Sequence, residues 1–369
     1  MSGPRIYFLD NLRTGIILLV VVFHAAMAYM NYVPEWWYVI DTERVLAADI
    51  FVIWADIFIM PVMFFIAGYF AIQSLARHST GAFWRAKGRR IGIPWVAGSM
   101  LLAPPIAYIM IASRSIPMSF EDFYFKLFWG PAYQQSQYWF LGALMALYLL
   151  LWLAGRCCPS LLQSRGSHTP DTSFLLAAGL LGAVGVGAVN AVCADSVWIH
   201  PLYLLVLQPV RVPLYLLYFA LGVYAWRNGW LRQDGWVPAF APWTLAFAIL
   251  SVLYVGSRLV LPLFWQPSPL QYLLVNSLLH SFFCLTAVFG LLAIFRQGLS
   301  FTNTWLTRFA AAAYPIYFLH QLFVQLLNWL VRPLPVGAFL KYAIVCSCAL
   351  TVCYLLSRYV LLRWRCFRG

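Results

Sequence analysis

Ten long apolar stretches limit how this chain can fold. Each is 19 to 31 residues long, and an α-helix needs about 20 residues to cross a bilayer. They cover residues 15–33, 46–76, 91–112, 137–155, 174–194, 200–226, 241–260, 271–295, 309–330 and 337–362. Only 9% of the 369 residues are charged, against about 25% in soluble domains, which excludes a soluble enzyme, a disordered regulator and a nucleic-acid-binding domain. The sequence predicts an all-α bundle of about ten transmembrane helices in a lipid bilayer, forming one domain over 1–369.

The net charge of +13 is explained by where the basic residues lie. With the N-terminus inside, 17 of the 24 Lys and Arg residues fall in or next to cytoplasmic segments, and six fall on the outer side. Cytoplasmic loops of membrane proteins carry such an excess of Lys and Arg. We therefore expect both termini to be cytoplasmic and no nucleic-acid partner.

The eight cysteines do not form the paired C-x-x-C spacing, with each other or with histidines, that indicates a zinc site. Buried cysteines commonly act as small hydrophobic residues. We expect no metal.

Four ionisable side chains lie about halfway through predicted spans: His24, Arg211, His280 and His320. Such groups are costly in a bilayer and often mark functional sites. One histidine alone is most simply a hydrogen-bonded packing residue. Four groups at one depth favour a shared polar cavity.

Arg13 and His24 are eleven residues apart, so they lie on one face of the first helix with a rise of about 16 Å between them. Asp10 and Arg13 form an i, i+3 pair that can hold each other. A basic group at the rim and an imidazole halfway along the wall suit a ligand with an anionic head and a reactive end. Alternatively, Arg13 extends to the membrane surface as an anchor.

The segment 129–139 mixes aromatic and amide side chains on the predicted outer side. It fits an aromatic belt at the membrane surface. It also fits part of a sugar-binding surface, because aromatic rings and amides suit that task.

Asp10-Asn-Leu-Arg13, followed by His24, resembles the opening motif of the acyltransferase-3 family of integral membrane proteins. Four further segments resemble that family in the same order. They are Met60-Pro-Val-Met-Phe-Phe-Ile-Ala-Gly-Tyr-Phe70, Lys87-Gly-Arg-Arg90 with Ile-Gly-Ile-Pro94, Tyr138-Trp-Phe-Leu141, and Tyr314-Pro-Ile-Tyr-Phe-Leu-His320. Lys87 stands where the family usually has the first arginine of a basic R-x-x-R loop. Within this family, the overall sequence pattern is similar to that of the bacterial periplasmic-glucan succinyltransferases.

The resemblance implies a bacterial inner-membrane acyltransferase that moves an acetyl or succinyl group from cytoplasmic acyl-coenzyme A to a hydroxyl of a glycan or glycolipid. We expect His24 to be the general base, with an acyl-histidine intermediate as the variant, and Asp10 to orient Arg13. His320, His280 or Arg211 is expected to stabilise the oxyanion or orient the acceptor. The residues expected to bind the phosphates of coenzyme A are Arg85, Lys87, Arg89 and Arg90. The residues expected to bind the acceptor are Arg211, His280, Tyr317 and Trp139.

A competing hypothesis is a transporter or proton-coupled carrier, because His and Arg residues at mid-membrane depth also line permeation paths. Release of free thiol from acyl-coenzyme A distinguishes the two, since a carrier releases none.

Overall fold

A computed structural model of the protein describes residues 6–232 and 234–367, and within these ranges the regular elements are helices. The α-helices are α1 (Tyr7–Ala26), α2 (Leu46–Asp56), α3 (Ile59–Arg77), α4 (Thr80–Lys87), α5 (Ile93–Ala97), α6 (Ala103–Ser113), α7 (Phe120–Asp122), α8 (Trp139–Cys157), α9 (Thr172–Asn190), α10 (Val212–Arg227), α11 (Phe240–Leu259), α12 (Pro269–Gly298), α13 (Thr304–Val331) and α14 (Ala338–Tyr359). The predicted all-α bundle is confirmed.

In the described part of the chain, nine helical stretches are long and apolar enough to cross a membrane. The sixth predicted span, 200–226, is different, because its first residues form loops and short turns and α10 begins only at Val212. Pro201, Pro209 and Pro213 lie in this region, and proline lacks the N–H that continues a helix. The predicted start of this span was therefore wrong by about a dozen residues.

The third span begins earlier than predicted. A continuous helical rod covers Thr80–Ser113, with wider π-helical turns at Gly88–Gly92 and Gly98–Leu102. Ser79 begins it by accepting a hydrogen bond from the backbone N–H of Ala82, as helix-capping serines do. The basic motif at residues 87–90, expected in a loop, therefore lies on a helix and overlaps the π-helical turn Gly88–Gly92. Such turns often occur at functional sites.

Helices α3 and α10 cross at two glycines. A Cβ atom on Gly68 would lie 2.1 Å from the carbonyl oxygen of Phe219, and one on Gly222 would lie 2.0 Å from that of Phe65. Small residues allow membrane helices to approach at backbone distance. This crossing places α10, and the Arg211 that precedes it, against the kink between α2 and α3.

The loops gather at two ends of the bundle. At one end, which we call the Arg13 end, the Asn11 side chain donates to the carbonyls of Leu299 and Phe301. At the opposite end, the Tyr133 hydroxyl donates to the carbonyl of Tyr203. Successive loops thus lie at the two ends in the order that the predicted spans require. Which end faces the cytoplasm stays a prediction from the charge distribution.

Candidate active site

The core of the site is a hydrogen-bonded histidine pair between α1 and α13. His24 Nδ1 lies 2.9 Å from His320 Nε2, and His320 Nδ1 lies 2.7 Å from the carbonyl oxygen of Tyr317. A carbonyl only accepts, so His320 Nδ1 carries the hydrogen. In the neutral pair, His320 Nε2 is then the acceptor and His24 Nδ1 the donor. This chain of hydrogen bonds leaves His24 Nε2 with a free lone pair, as a general base requires.

The two rings differ in access. His320 is fully buried at 0% exposure, whereas His24 is partly exposed. The indole of Trp37 stacks on the His24 ring with centroids 5.8 Å apart and is itself buried. A substrate can therefore approach His24, while His320 forms a hydrogen bond with it from the buried side.

The predicted pair at the Arg13 end is confirmed. Arg13 and Asp10 form an ion pair at 3.5 Å, and the Arg13 side chain is 37% exposed. From Arg13 to His24 the α1 helix rises about 16 Å along one face. Arg13 and His24 thus lie on one face of α1, and their roles as anion-binding group and reactive imidazole stay predictions.

The basic residues of the rod lie at the same end of the bundle. Arg85, Arg89 and Arg90 are exposed. Lys87 is half-buried, with its ammonium group 4.5 Å from the centre of the Tyr148 ring. Because ring faces attract cations, Lys87 is held against α8, and the three arginines supply the exposed positive charge.

A row of rings on α13 leads from this basic segment to the histidine pair. The Tyr314 hydroxyl donates to the carbonyl of Arg90 at 2.6 Å. Tyr314 and Tyr317 stack with centroids 6.4 Å apart, and Tyr317 lies 5.8 Å from the His320 ring. The Tyr317 hydroxyl donates to the carbonyl of Gln137, so Tyr317 fixes α13 against the start of α8.

Arg211 and His280 form a second polar cluster. An Arg211 Nη donates to His280 Nε2 at 3.1 Å, and the other Nη donates to Asp56 at 2.6 Å. Arg211 Nε is 3.8 Å from Asp195, which also faces Arg258 at 3.7 Å. The structure thus pairs His24 with His320 and Arg211 with His280, where the sequence suggested one common set.

Sequence reasoning missed Asp56 and Asp195. Asp56 lies inside the predicted span 46–76, so the rule that flagged the four basic groups could have found it. Its side chain is 46% exposed although Arg211 beside it is only 9% exposed, which places the carboxylate at the edge of an accessible space.

Trp139 stacks on Tyr215 at 5.6 Å, and its edge contacts Trp198. Among the described residues, no three His, Cys, Asp or Glu side chains gather as metal ligands would.

These features define a polytopic helical membrane protein with a histidine pair, one ring buried and the other partly exposed, on a helix that also carries Arg13 at the basic end. The family model described as an acyltransferase domain matches residues 6–358. The chain therefore belongs to this acyltransferase family, and the resemblance seen in the motifs is confirmed.

The chain is similar to curated proteins named glucans biosynthesis protein C. That of Shigella dysenteriae serotype 1 (strain Sd197) is 31% identical over 162 residues, which are 42% of this chain and 40% of the relative. That of Escherichia coli (strain K12) is 30% identical over 162 residues, with the same shares. That of Escherichia coli O81 (strain ED1a) is 28% identical over 269 residues, covering 69% of this chain and 66% of the relative. The match to the first two thus spans about two fifths of their length, and no solved structure matches this chain.

Proposed function

We propose that the protein transfers an acyl group, acetyl or succinyl, from acyl-coenzyme A to a hydroxyl of a cell-envelope glycan or glycolipid. Family membership supports acyl transfer. The observation that carries the catalytic assignment is the hydrogen-bond chain that leaves His24 Nε2 as a base. The printed name of the relatives, which refers to glucans, supports a glucan as the acceptor.

The donor enters at the Arg13 end in this proposal. Arg85, Arg89 and Arg90 are exposed there, and arginine binds phosphate through paired donors. Lys87 contributes a point charge, although Tyr148 holds its ammonium group. Arg13, held by Asp10, stands at the start of the wall that leads to His24, so the thioester of a bound donor reaches the imidazole.

The reaction balances without a further reactant. His24 Nε2 takes the proton of the acceptor hydroxyl while the oxygen attacks the thioester carbonyl. The C–S bond then breaks, and the leaving thiolate receives that proton. His320 accepts the His24 Nδ1 hydrogen throughout, which holds the base in one tautomer and stabilises the imidazolium form.

The second cluster serves the acceptor side in this proposal. Arg211 and His280 are buried at 7% and 1% exposure, while Asp56 presents an accessible carboxylate. Carboxylates accept hydrogen bonds from sugar hydroxyls, and the Trp139 ring nearby offers a stacking face. The protein acts in the bacterial inner membrane, where a cytoplasmic donor meets an envelope acceptor.

The test uses purified protein, acetyl- or succinyl-coenzyme A and a glucan oligosaccharide, with thiol release as the readout. We expect thiol release that depends on the acceptor, and a fall of about 10²–10⁴-fold in His24→Ala. His78→Ala is the matched control, since His78 lies outside the site and its ring contacts the carbonyl of Ser74. No thiol release by the wild type would favour the carrier hypothesis, and full turnover by His24→Ala would refute the base assignment.

A further inference from the structure

Unpartnered polar atoms surround the histidine pair. Within the described residues, five buried side-chain atoms near it have no hydrogen-bond partner. They are Trp37 Nε1, Gln321 Oε1, Gln325 Oε1, Gln325 Nε2 and Asn328 Nδ2. A buried polar atom without a partner costs about 1–3 kcal/mol, so a cluster of them calls for something that satisfies it.

The three amides form a row along one face of α13. Gln321, Gln325 and Asn328 follow i, i+4, i+7 spacing, which brings them onto one helical face. We call these three residues the amide row. It begins beside His320 and rises about 10 Å toward the end opposite Arg13. All three are buried, at 2%, 0% and 1% exposure.

The row continues from the reacting imidazole on the side away from the donor. Trp37, whose indole N–H is unpartnered, stacks on His24. Asn328 accepts a hydrogen bond from the Tyr29 hydroxyl at 3.0 Å, while its own N–H₂ group is unused. The unpartnered atoms of the row therefore include both donors and acceptors.

The segment 129–139 adds further amide groups. The Tyr38 hydroxyl donates to Gln134 at 2.6 Å and also contacts Ser136. Burial raises the pKa of Tyr38 to about 12, so this hydroxyl keeps the hydrogen that it donates to Gln134, and its oxygen can accept a further hydrogen bond. Gln135 and Gln137 are buried, so this part of the segment packs into the bundle.

Gln134 and Ser136 are partly exposed, which gives the cluster a contact with accessible space. The cluster contains amides, hydroxyls and an indole, and none of its members carries a charge. It has no group that would neutralise a phosphate. A hydrocarbon chain would leave every unpartnered atom unsatisfied.

We propose that the amide row, with Trp37, Tyr38 and Gln134, binds the hydroxyl groups of a carbohydrate acceptor and presents one of them to His24. Amide and sugar hydroxyl groups each donate and accept, so they pair fully. This inference rests on the proposed acyl transfer and adds acceptor-binding residues on the α13 side of His24 to the Asp56 and Trp139 side chains proposed above.

The test compares Gln321→Leu and Gln325→Leu with Ser357→Ala. Ser357 is a matched control because its hydroxyl is also buried and unpartnered but lies on α14, outside the row. Loss of one hydrogen bond should raise the acceptor KM about 2- to 12-fold in each row variant. The KM for acyl-coenzyme A should not change. Thermal stability should hold or rise, since each replacement removes at least one buried polar atom without a partner.

Two further measurements separate the possible failures. Direct binding of the glucan oligosaccharide to His24→Ala protein should weaken when Gln321→Leu is added, whether or not transfer occurs. If the wild type released no thiol but this binding loss appeared, the proposed function would fail and the acceptor site would stand. An unchanged acceptor KM and unchanged oligosaccharide affinity in both row variants would overturn the inference. Gln134→Ala, at a partly exposed position, replaces any row variant that does not fold.

Discussion

A buried ion pair at the end opposite Arg13 offers a quantitative test of how the site is held. Lys341 Nζ lies 2.9 and 3.2 Å from the two carboxylate oxygens of Asp41 and donates to the carbonyl of Arg332 at 2.8 Å. Both side chains of the pair are only 1% exposed. Asp41 also anchors its segment through its backbone N–H, which donates to the carbonyl of Ala28. That segment carries Trp37, so the pair holds the indole that covers His24.

Lys341→Met leaves the Asp41 carboxylate buried without its partner. Breaking a buried pair in this way costs about 3–5 kcal/mol of unfolding free energy, whereas replacing both partners by apolar groups is often neutral. We expect Lys341→Met to lose that amount and Asp41→Leu/Lys341→Met to regain most of it. Because Trp37 packing depends on the pair, kcat of the single variant should also fall.

Denaturant titration with a thiol-reactive dye measures the loss. The exposed Cys157, Cys158 and Cys348 react in the folded protein and set the baseline, whereas Cys284 and Cys353, buried at 0% exposure, add to the signal only on unfolding. Lys126→Met is the control, because Lys126 and Asp122 form an exposed pair that water and salt screen. If Lys341→Met were no less stable than this control, the reasoning about the buried pair would be refuted.

Three further predictions follow from the packing and the site. Gly222→Ala should abolish folded protein, because its Cβ would lie 2.0 Å from the Phe65 carbonyl oxygen. Gly256→Ala, at an open position, should instead raise the free energy of unfolding by about 0.5–1 kcal/mol. Size-exclusion profiles and melting curves measure both effects. Arg90→Gln should raise the KM for acyl-coenzyme A without changing that for the acceptor, and equal effects on both would count against a donor site. His320→Ala should lower kcat by about tenfold or more with KM unchanged, because the base loses its fixed tautomer; an unchanged kcat would remove His320 from the mechanism.

Local features of the site were predictable from the sequence. Helical periodicity alone puts Arg13 and His24 on one face and Asp10 within reach of Arg13. Hydropathy predicted the helical spans, and the spacing of short motifs indicated the family. These relations involve residues within a few helical turns, where backbone geometry fixes the distances.

Long-range contacts were not predictable in this way. His24 and His320 are 296 residues apart in the chain, and no local pattern says that His24 pairs with His320 while His280 pairs with Arg211. Lys341 is one of the six basic residues assigned to the outer side, at the start of the predicted span 337–362, and nothing in the sequence showed that it is buried in α14 with Asp41. Such partners are set by how the helices pack against one another, so only the folded structure identifies them.

The most direct test of the account is the position of coenzyme A bound to the purified protein, determined by electron microscopy. We predict that its phosphates lie at the Arg13 end beside Arg85, Arg89 and Arg90, and that its thiol lies within hydrogen-bond reach of His24 Nε2. A thiol that lay away from His24, or a donor that entered from the opposite end, would contradict it.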